Sequence, residues 1–538
     1  MDFQRLFLFL IFSFSLMMVW DGWQRYQHPQ PVVSEAAQSV NAPKGVEGHA
    51  QIIQSAKEAP AGKMIKVRTD LMTVEINTAG GDIQGLSFLK HPDRLDKNKN
   101  QALFEKGPGT HNYVAQTGLL GGGLPNHTTL FTSDQDNYQM SENADKLQVV
   151  LKAIGADGVK VTKTITFHKD SYVVDVTYQI ENDGSQPVKT SAYYQFTRDD
   201  KEPAGLTKMV PTFTGVAVYT DKDKFQKVSF QDVAKGKVKY PSESNDGWIG
   251  ILQHYFVAAW IPEEHVKREF YTRKLEDGIY SAGMIMPFPT VLPGQKASMT
   301  VPFYAGPAES SLNAIAPGLG LTVDYGWLTV VATPIFSTLS FIHGLVGNWG
   351  VAIIILTLLI KILFFPLSAA SYRSMAKMRM MAPKLEKIKQ QYANDREQLN
   401  RAMMDLYKTE KINPLGGCLP VVIQIPVFIS LYWSILASVE MRYAPFFGWI
   451  TDLSAPDPYY ILPVLMGISM LMQSRLNPAP PDPMQAKIMK IMPVAFSVMF
   501  FFFPAGLVLY SIVNNGLSIA QQWYITRKIG VAGSGAKN

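Results

Sequence analysis

The chain has 538 residues, of which 47% are hydrophobic and 17% are charged. This length exceeds that of one ordinary domain, and the composition excludes collagen-like, coiled-coil and wholly disordered proteins. The single cysteine, Cys418, excludes an internal disulfide and any metal site built from several cysteines. The formal net charge of +6 matters less than its distribution, because the basic residues flank long apolar segments that exclude a purely soluble enzyme.

The first apolar segment runs from Leu6 to Trp20 and contains no charged residue. The sequence WDGW at its end lacks the small residues of a signal-peptide cleavage site, so residues 1–24 are predicted to be an uncleaved transmembrane anchor. Residues 25–62 are rich in Pro, Ala, Ser and Gln and lack hydrophobic periodicity, which predicts a flexible extracytoplasmic tether.

Residues 63–320 show the pattern of a β protein. Apolar side chains occupy every second position from Tyr172 to Ile180, and the turn-forming sequence NDG follows at residues 182–184. Similar short strands are predicted around Val67–Ile76, Leu147–Leu151, Val159–Phe167 and Met299–Ala305. Because helical patterns are scarce here, an antiparallel β-sandwich of about 250 residues is predicted.

This β region contains no recognisable catalytic or metal-binding motif. The nine histidines of the chain lack the spacing of metal ligands, and Gly121–Gly123 lacks the Lys-Ser/Thr of a phosphate loop. There is also no G-x-S-x-G nucleophile motif. A folded appendage or docking surface is therefore the leading interpretation, with binding of a sugar or peptide as the open alternative.

Five further apolar segments approach the roughly 20 residues that a membrane-crossing helix needs. They are Trp349–Ala370, Leu419–Val439, Tyr459–Gln473, Met484–Phe503 and Leu507–Ile525. The helix-breaking sequence FPAG separates the last two. Ten basic residues lie between residues 371 and 417, and two more follow the last segment. The positive-inside rule therefore predicts six spans with both termini in the cytoplasm.

The segment 321–347 precedes these spans and is apolar, but Pro334 interrupts it. A further span at this position would reverse the predicted orientation of the basic loops. We therefore predict an amphipathic helix in the outer membrane interface here. Residues 348–528 are then a five-helix core, and residues 529–538 a cytoplasmic tail.

Lys361 is the only formally charged side chain deep within a predicted span, because Lys487 and Lys490 lie at the loop end of Met484–Phe503. The predicted spans contain no Asp or Glu to pair with it. A lysine at the centre of a membrane helix costs about 2.5–3.5 kcal/mol, so it usually faces water or protein. The neighbouring spans supply polar side chains, namely Thr357, Gln424, Ser511, Asn514, Asn515, Ser518, Gln521 and Gln522. Together they predict a wetted groove that receives an anionic group. The alternatives are snorkelling of the lysine and ordinary interhelical hydrogen bonds.

The basic segment 371–417 is predicted to form a cytoplasmic helical hairpin. Each helix has one apolar face, formed by Leu385, Ile388 and Tyr392 and by Leu399, Met403 and Leu406. Asn394 and Glu397 have the spacing of a capping box at the start of the second helix. Methionines between residues 375 and 381 add adaptable apolar surface. The basic side chains suit lipid headgroups or ribosomal RNA.

Several motifs resemble the YidC branch of the YidC/Oxa/Alb family of membrane protein insertases. The match runs over about residues 361–525, and its motifs are SMAKMRMMAPKLEKIK, NPLGGCLPVVIQIPVF, DLSAPDPYYILPVLMG, DPMQAKIM and FPAGLVLY. The layout of anchor, β domain and helical core is similar to the Gram-negative form, which implies a multi-pass inner-membrane protein with a supersandwich-like periplasmic domain. The resemblance implies a hydrophilic groove that is open to the cytoplasm and to lipid and closed toward the periplasm. Through it, integral membrane proteins are inserted and folded, alone or with the Sec translocon.

The resemblance also implies roles for individual residues. Lys361 takes the place of a basic residue, usually arginine, that attracts acidic residues of the arriving protein; lysine keeps the charge but loses the planar fork. Thr357 matches a groove threonine and Phe428 a client contact, while only Tyr510 remains of an aromatic pair, with Ser511 beside it. The remaining predicted site residues are Gln424 and Asn514 in the groove and Met378, Arg379, Pro383 and Lys384 in the hairpin.

The implied partners are nascent integral membrane proteins, components of the Sec translocon, the ribosome and membrane lipids, with no DNA. No cofactor and no catalytic residue are expected. A transporter of small anions is one rival interpretation, but it predicts inverted repeats, which the sequence lacks. A periplasmic carbohydrate sensor is another, and it requires a cytoplasmic output domain larger than the predicted hairpin.

Overall fold

The computed structural model describes residues 61–107, 111–203, 212–275, 278–323, 329–392, 395–410, 419–476 and 483–535. These residues form two compact units, a β unit up to residue 323 and a helical unit from residue 329 onward. The predicted anchor, residues 1–24, and nearly all of the predicted tether, residues 25–62, lie outside the described residues.

The β unit is built from short strands. Their bounds are β1 Met64–Arg68, β2 Met72–Asn77, β3 Asp82–Pro92, β4 Asn100–Phe104, β5 Tyr113–Leu120, β6 Thr132–Ser133, β7 Asn137–Gln139, β8 Lys146–Ile154, β9 Val159–His168, β10 Val173–Asn182, β11 Ser191–Asp199, β12 Gly215–Thr220, β13 Lys224–Ser229, β14 Glu243–Ser244, β15 Trp248–Gln253, β16 Phe256–Trp260, β17 Arg268–Lys274, β18 Ile279–Pro287 and β19 Lys296–Pro307.

These strands form two sheets. The order in the first is β14-β17-β18-β11-β5-β3-β2-β1-β7, with β4 paired to β3, and in the second β13-β12-β15-β16-β19-β10-β9-β8-β6. Among the described strand pairings, only that of β1 with β7 is parallel. The prediction of an antiparallel β-rich domain in this part of the chain is therefore confirmed.

The alternating pattern of β10 corresponds to its burial. The apolar side chains at every second position are all buried, namely Val174, Val176, Tyr178 and Ile180. Aromatic contacts join strands of the two sheets: Phe88 stacks on Phe256 at 4.7 Å, and Phe196 stacks on Trp260 at 5.4 Å. The period of two in the sequence thus selects the side chains that pack inside the β unit.

The predicted strand Val67–Ile76 is in fact two strands, β1 and β2, because the chain turns between Arg68 and Met72. The hydroxyl of Thr69 accepts hydrogen bonds from the amides of Leu71 and Met72, each at 3.1 Å, and so stabilises the turn. The only trace of the turn in the sequence is a one-residue change of phase in the apolar alternation, from Val67 and Leu71 to Met72 and Val74, which is easily missed.

Lys163, in β9, is a buried lysine that the sequence pattern did not single out. Its ammonium donates to the carbonyls of Gly80 and Gly81, at 3.1 and 2.7 Å, and so joins the second sheet to the turn between β2 and β3. Asp82, which follows this turn, is also buried and accepts a hydrogen bond from Gln116 at 2.8 Å. Because both charged forms lose hydration, burial lowers the pKa of Lys163 to about 8 and raises the pKa of Asp82 to about 7.

The helices are α1 Phe230–Ala234 in the β unit and, in the helical unit, α2 Thr329–Val346, α3 Trp349–Leu363, α4 Phe365–Met380, α5 Ala382–Gln391, α6 Arg396–Thr409, α7 Leu419–Ala437, α8 Ile461–Leu476, α9 Pro483–Phe500 and α10 Ala505–Gly535. The chain breaks between α9 and α10 at the predicted FPAG sequence. Helix α10 packs against four other helices, namely α3, α4, α7 and α8.

The predicted span Trp349–Ala370 is not one continuous helix. Helices α3 and α4 meet at Phe364 and are bent by 68° relative to each other. Pro366 lies in the first turn of α4, where its missing amide is tolerated and its ring prevents continuation of the preceding helix. The predicted apolar segment therefore consists of two helices that meet at a bend.

Of the described helices, only α2 is long and apolar enough to cross a membrane by itself, and α3 with α4 meets this criterion only as a bent pair. Shorter apolar helical stretches are Gln424–Ala437, Ile461–Leu476 and Ile491–Phe500. Helix α2 packs against α3 and α7, and its exposed side chains include both Ser337 and Phe341. Its location in the membrane interface stays a prediction.

The variant Lys163→Met is expected to lower the free energy of unfolding by about 3 kcal/mol, because two buried carbonyls lose their donor and Asp82 loses a neighbouring cation. Urea unfolding of the full-length protein in detergent, followed by tryptophan fluorescence, measures this effect. Lys160→Met is the matched control, since Lys160 lies on the same strand but is exposed and pairs with Asp183 at 2.6 Å. Equal destabilisation by both variants would contradict the assigned role of Lys163.

Candidate functional site

Lys361 lies in the last turn of α3, and its side chain reaches α10. Its Nζ donates a hydrogen bond to the hydroxyl of Ser518 at 2.7 Å, and this hydroxyl donates in turn to the carbonyl of Asn514 at 2.8 Å. Lys361 is half-buried, and no carboxylate among the described residues forms an ion pair with it. An ammonium has three donors, so two of them remain for water or an anion.

The position of Lys361 along α3 differs from the expected one. It lies about 18 Å from Trp349 along the helix axis, and the bend at Phe364 follows three residues later. Lys361 therefore lies in the last turn of α3, beside a change of direction, and not at the centre of a continuous helix.

Thr357 and Ser511 are both packed inside the helical unit, with exposed fractions of 0% and 5%. Each hydroxyl donates to the carbonyl one turn earlier in its own helix, to Ile353 at 2.6 Å and to Leu507 at 2.8 Å. This local bond is common for hydroxyl side chains in apolar helices. Both hydroxyls are thus already bonded, so neither is as available to a ligand as the Lys361 ammonium is.

Gln424 and Tyr510, which the sequence suggested separately, form one pair. The side-chain amide of Gln424, on α7, donates to the hydroxyl of the buried Tyr510, on α10. Phe428, one turn after Gln424, makes edge-to-face contacts with Phe500 and Phe503 at 6.3 and 6.2 Å. The structure thus places Phe428 in an aromatic cluster with the end of α9.

The remaining polar side chains of α10 differ in how they are bonded. Asn514 is half-buried and belongs to the lysine cluster through its carbonyl, which holds Ser518. Asn515 is buried and donates to the hydroxyl of Ser469, on α8, at 3.2 Å. The amide nitrogen of Gln521 is buried without a hydrogen-bond partner in the described part of the chain. Polar capacity therefore remains unused along this helix.

The sequence pattern did not single out five buried serines of the helical unit. Ser430 and Ser434 lie four residues apart on α7, and Ser438 follows at the same spacing directly after its end. The other two, Ser368 and Ser371, lie on α4. The hydroxyls of Ser430, Ser438 and Ser371 lack hydrogen-bond partners among the residues that the structure describes. The spacing of four, which places side chains on one helix face, is the signal that identifies the α7 series.

The predicted hairpin corresponds to α5 and α6, which follow the C-terminal half of α4. Lys384 joins the two helices through an ion pair with Glu410, whose Oε1 lies 2.7 Å from the lysine Nζ. Arg379 and Pro383 are exposed, and Met378 is half-buried. An exposed ion pair of this kind adds little stability. Because most charged side chains of 371–410 are Lys or Arg, the hairpin presents a mainly basic, accessible surface.

The start of α6 differs from the predicted capping box. The N-cap is Asp395, whose carboxylate accepts hydrogen bonds from the amides of Glu397 and Gln398 at 3.0 Å each. The predicted cap, Asn394, lies outside the described residues. Aspartate and asparagine are similarly good caps, so sequence alone does not decide between adjacent positions. The predicted apolar residues of this helix, Leu399, Met403 and Leu406, are its half-buried side.

Comparison with known proteins agrees with these observations. Residues 64–338 match the family model of the YidC periplasmic domain, and residues 341–531 match that of the 60Kd inner membrane protein. The chain is 51% identical to the membrane protein insertase YidC of Nitrosospira multiformis, with 98% of both chains covered. It is 53% identical to that of Methylobacillus flagellatus, with 98% of this chain and 97% of the relative covered.

A crystal structure of an active YidC insertase with its first transmembrane domain resolved is 18% identical, covers 89% of this chain and 97% of its own, and has a TM-score of 0.41. The family models together span most of the chain, and the sequence relatives are matched over nearly their whole length. The chain therefore belongs to the family of YidC membrane protein insertases.

Proposed function

We propose that this chain inserts hydrophobic proteins into the inner membrane through a polar groove around Lys361. The observation that carries this proposal is the half-buried ammonium, which has one hydrogen-bond partner, Ser518, and no ion pair among the described residues. Such a cation attracts an acidic or polar segment that arrives from the cytoplasm. YidC insertases are inner-membrane proteins with a periplasmic domain, so a cation in their helical unit can meet a segment that arrives at the membrane from the cytoplasm.

The free energy for insertion comes from the client and not from a nucleotide. No nucleotide-binding motif occurs in the sequence. An apolar client helix gains free energy by entering lipid, at about 25 cal/mol per Å² removed from water. The groove lowers the opposing cost, which is the transfer of the polar client tail through hydrocarbon. Lys361 contributes by attracting that tail before the client helix has left the groove.

Unused hydrogen-bonding capacity around the bundle supports a hydrated path. The hydroxyls of Ser371 and Ser430 and the amide nitrogen of Gln521 are buried without partners in the described residues. Buried polar groups are normally bonded to protein or to water, and an unpaired group costs about 1–3 kcal/mol. Water in the groove satisfies these groups and hydrates the lysine.

We further propose the domain arrangement for this chain: six spans, both termini in the cytoplasm, the β unit as a periplasmic sandwich and α2 in the outer interface. The basic residues of 371–417 support a cytoplasmic hairpin. Its exposed basic side chains, such as Arg379 and Lys387, fit the ribosome and anionic lipid headgroups. For larger clients, the Sec translocon is the proposed partner.

The variant Lys361→Arg is expected to support insertion at close to the parental level, and Lys361→Glu to abolish it. A charge pair at 4 Å is worth about 4 kcal/mol at an effective dielectric constant of 20, and charge reversal turns this attraction into repulsion. Growth of an insertase-depleted strain that carries each variant measures the effect. Lys528→Glu, an exposed reversal on α10, is the control and should rescue growth. Equal rescue by both Lys361 variants would argue against charge attraction.

A cysteine at Asn514 is expected to react with a membrane-impermeant maleimide that is added to the cytoplasmic side of inverted vesicles, in a chain with Cys418→Ala. Asn514 is half-buried beside the lysine cluster, whereas Val508, on the same helix, is fully buried. We expect Asn514→Cys to react at least tenfold faster than Val508→Cys. Equally slow reaction at both positions would indicate a dry bundle and would refute the groove.

A further inference from the structure

The connection between α7 and α8, residues 438–460 and here called the α7–α8 loop, binds the start of α10. The carbonyl of Ala455 accepts a hydrogen bond from the amide of Ala505 at 2.8 Å, and that of Leu453 accepts from Gly506 at 2.9 Å. A Cβ atom on Gly506 would lie only 3.2 Å from the same Leu453 carbonyl oxygen. Glycine at this position therefore permits the close approach of the loop backbone to the helix.

The same loop covers the start of α3. Asn348 caps α3 by accepting a hydrogen bond from the amide of Val351 at 3.0 Å, and its amide group donates to the carbonyl of Pro445 at 3.4 Å. The ring of Phe446 packs directly against Gly350, in the first turn of α3. One loop thus connects the end of α7 and the start of α8 to the starts of α3 and α10.

Asp457 holds this loop in place. Its carboxylate is 1% exposed and accepts three hydrogen bonds: from the indole of Trp449 at 3.0 Å, from the amide of Tyr459 at 3.0 Å and from the amide of Leu462 at 2.7 Å. The first bond ties the middle of the loop to its end, and the last ties the loop to α8. Three donors satisfy a buried carboxylate well, so the arrangement is rigid.

We propose that Asp457 is a positioning residue that keeps the α7–α8 loop closed over the starts of α3 and α10, and so prevents the groove around Lys361 from opening to the periplasm. This inference rests on the proposed function, which places these helix ends at the outer membrane surface. Loss of the carboxylate leaves three donors without this acceptor, among them the buried amide of Leu462. That amide regains a partner only when water enters and the loop opens.

The surroundings of Asp457 fit an outer location. Arg442 is the only Lys or Arg of the α7–α8 loop, as expected for a segment outside the cytoplasm. The loop also has exposed aromatic residues, a type that is enriched at the membrane–water interface, namely Phe447, Trp449, Tyr459 and Tyr460.

The test is the reactivity of Val508→Cys from the periplasmic side, in full-length protein with Cys418→Ala. Val508 is fully buried and lies within one turn of the start of α10, two residues after Gly506, which the loop contacts. A membrane-impermeant maleimide is added to intact spheroplasts. We expect Asp457→Ala to raise the labelling rate at least tenfold. Asp452→Ala is the matched control, because the Asp452 side chain bonds only to Ser454 within the loop, and it should change the rate less than twofold.

No greater labelling in Asp457→Ala than in Asp452→Ala would overturn the proposal. If Asp457→Ala does not accumulate, Trp449→Phe replaces it, since this variant keeps the ring and removes only the indole donor. A severalfold rise in that variant supports the closure, and an unchanged rate refutes it. Cytoplasmic labelling of Asn514→Cys reports on the groove independently, so failure of the closure and failure of the proposed function give different results.

Discussion

The helical unit depends on how the charge of Lys361 is accommodated. In the part of the chain that the structure describes, one hydroxyl, that of Ser518, accepts a hydrogen bond from the Lys361 ammonium, which has three donors. In an apolar bundle the other two require water or an anion, because an isolated buried charge is far too costly. The bend at Phe364 is consistent with this requirement, since it ends α3 just beyond the lysine and turns the chain toward the basic hairpin.

Much of the fold follows from patterns that depend on neighbouring residues alone. In β10 the alternation of side chains predicts both the strand and its buried face, and the FPAG sequence predicts the break before α10. The turn at Thr69 is hidden, because its only trace is a one-residue change of phase in the apolar alternation, between Leu71 and Met72. The burial of Lys163 is equally hidden, because its partners, Gly80 and Gly81, lie more than eighty residues away in sequence. Periodicity contains no information about such pairings.

In the candidate site too, the sequence reveals which residues are unusual but not which partners they bond. Lys361 stands out in the sequence because a charge within an apolar segment is rare, and the polar residues of α10 stand out for the same reason. The sequence does not indicate how each polar group is bonded. Ser511 bonds to its own helix, whereas Ser518, on the same helix, accepts from the lysine. The role of Asp457 depends on an indole eight residues earlier in an irregular loop, where no periodic pattern exists.

The two ends of the helical unit use charge in opposite ways. Asp457 is a buried anion with three donors, and a fully bonded buried network resists rearrangement. Lys361 is a half-buried cation with one acceptor among the described residues, so it gains free energy from a further acceptor or anion that arrives. A satisfied charge at one end and an unsatisfied charge at the other therefore favour entry from one side only. On this argument, the direction of insertion follows from hydrogen-bond satisfaction and requires no moving gate.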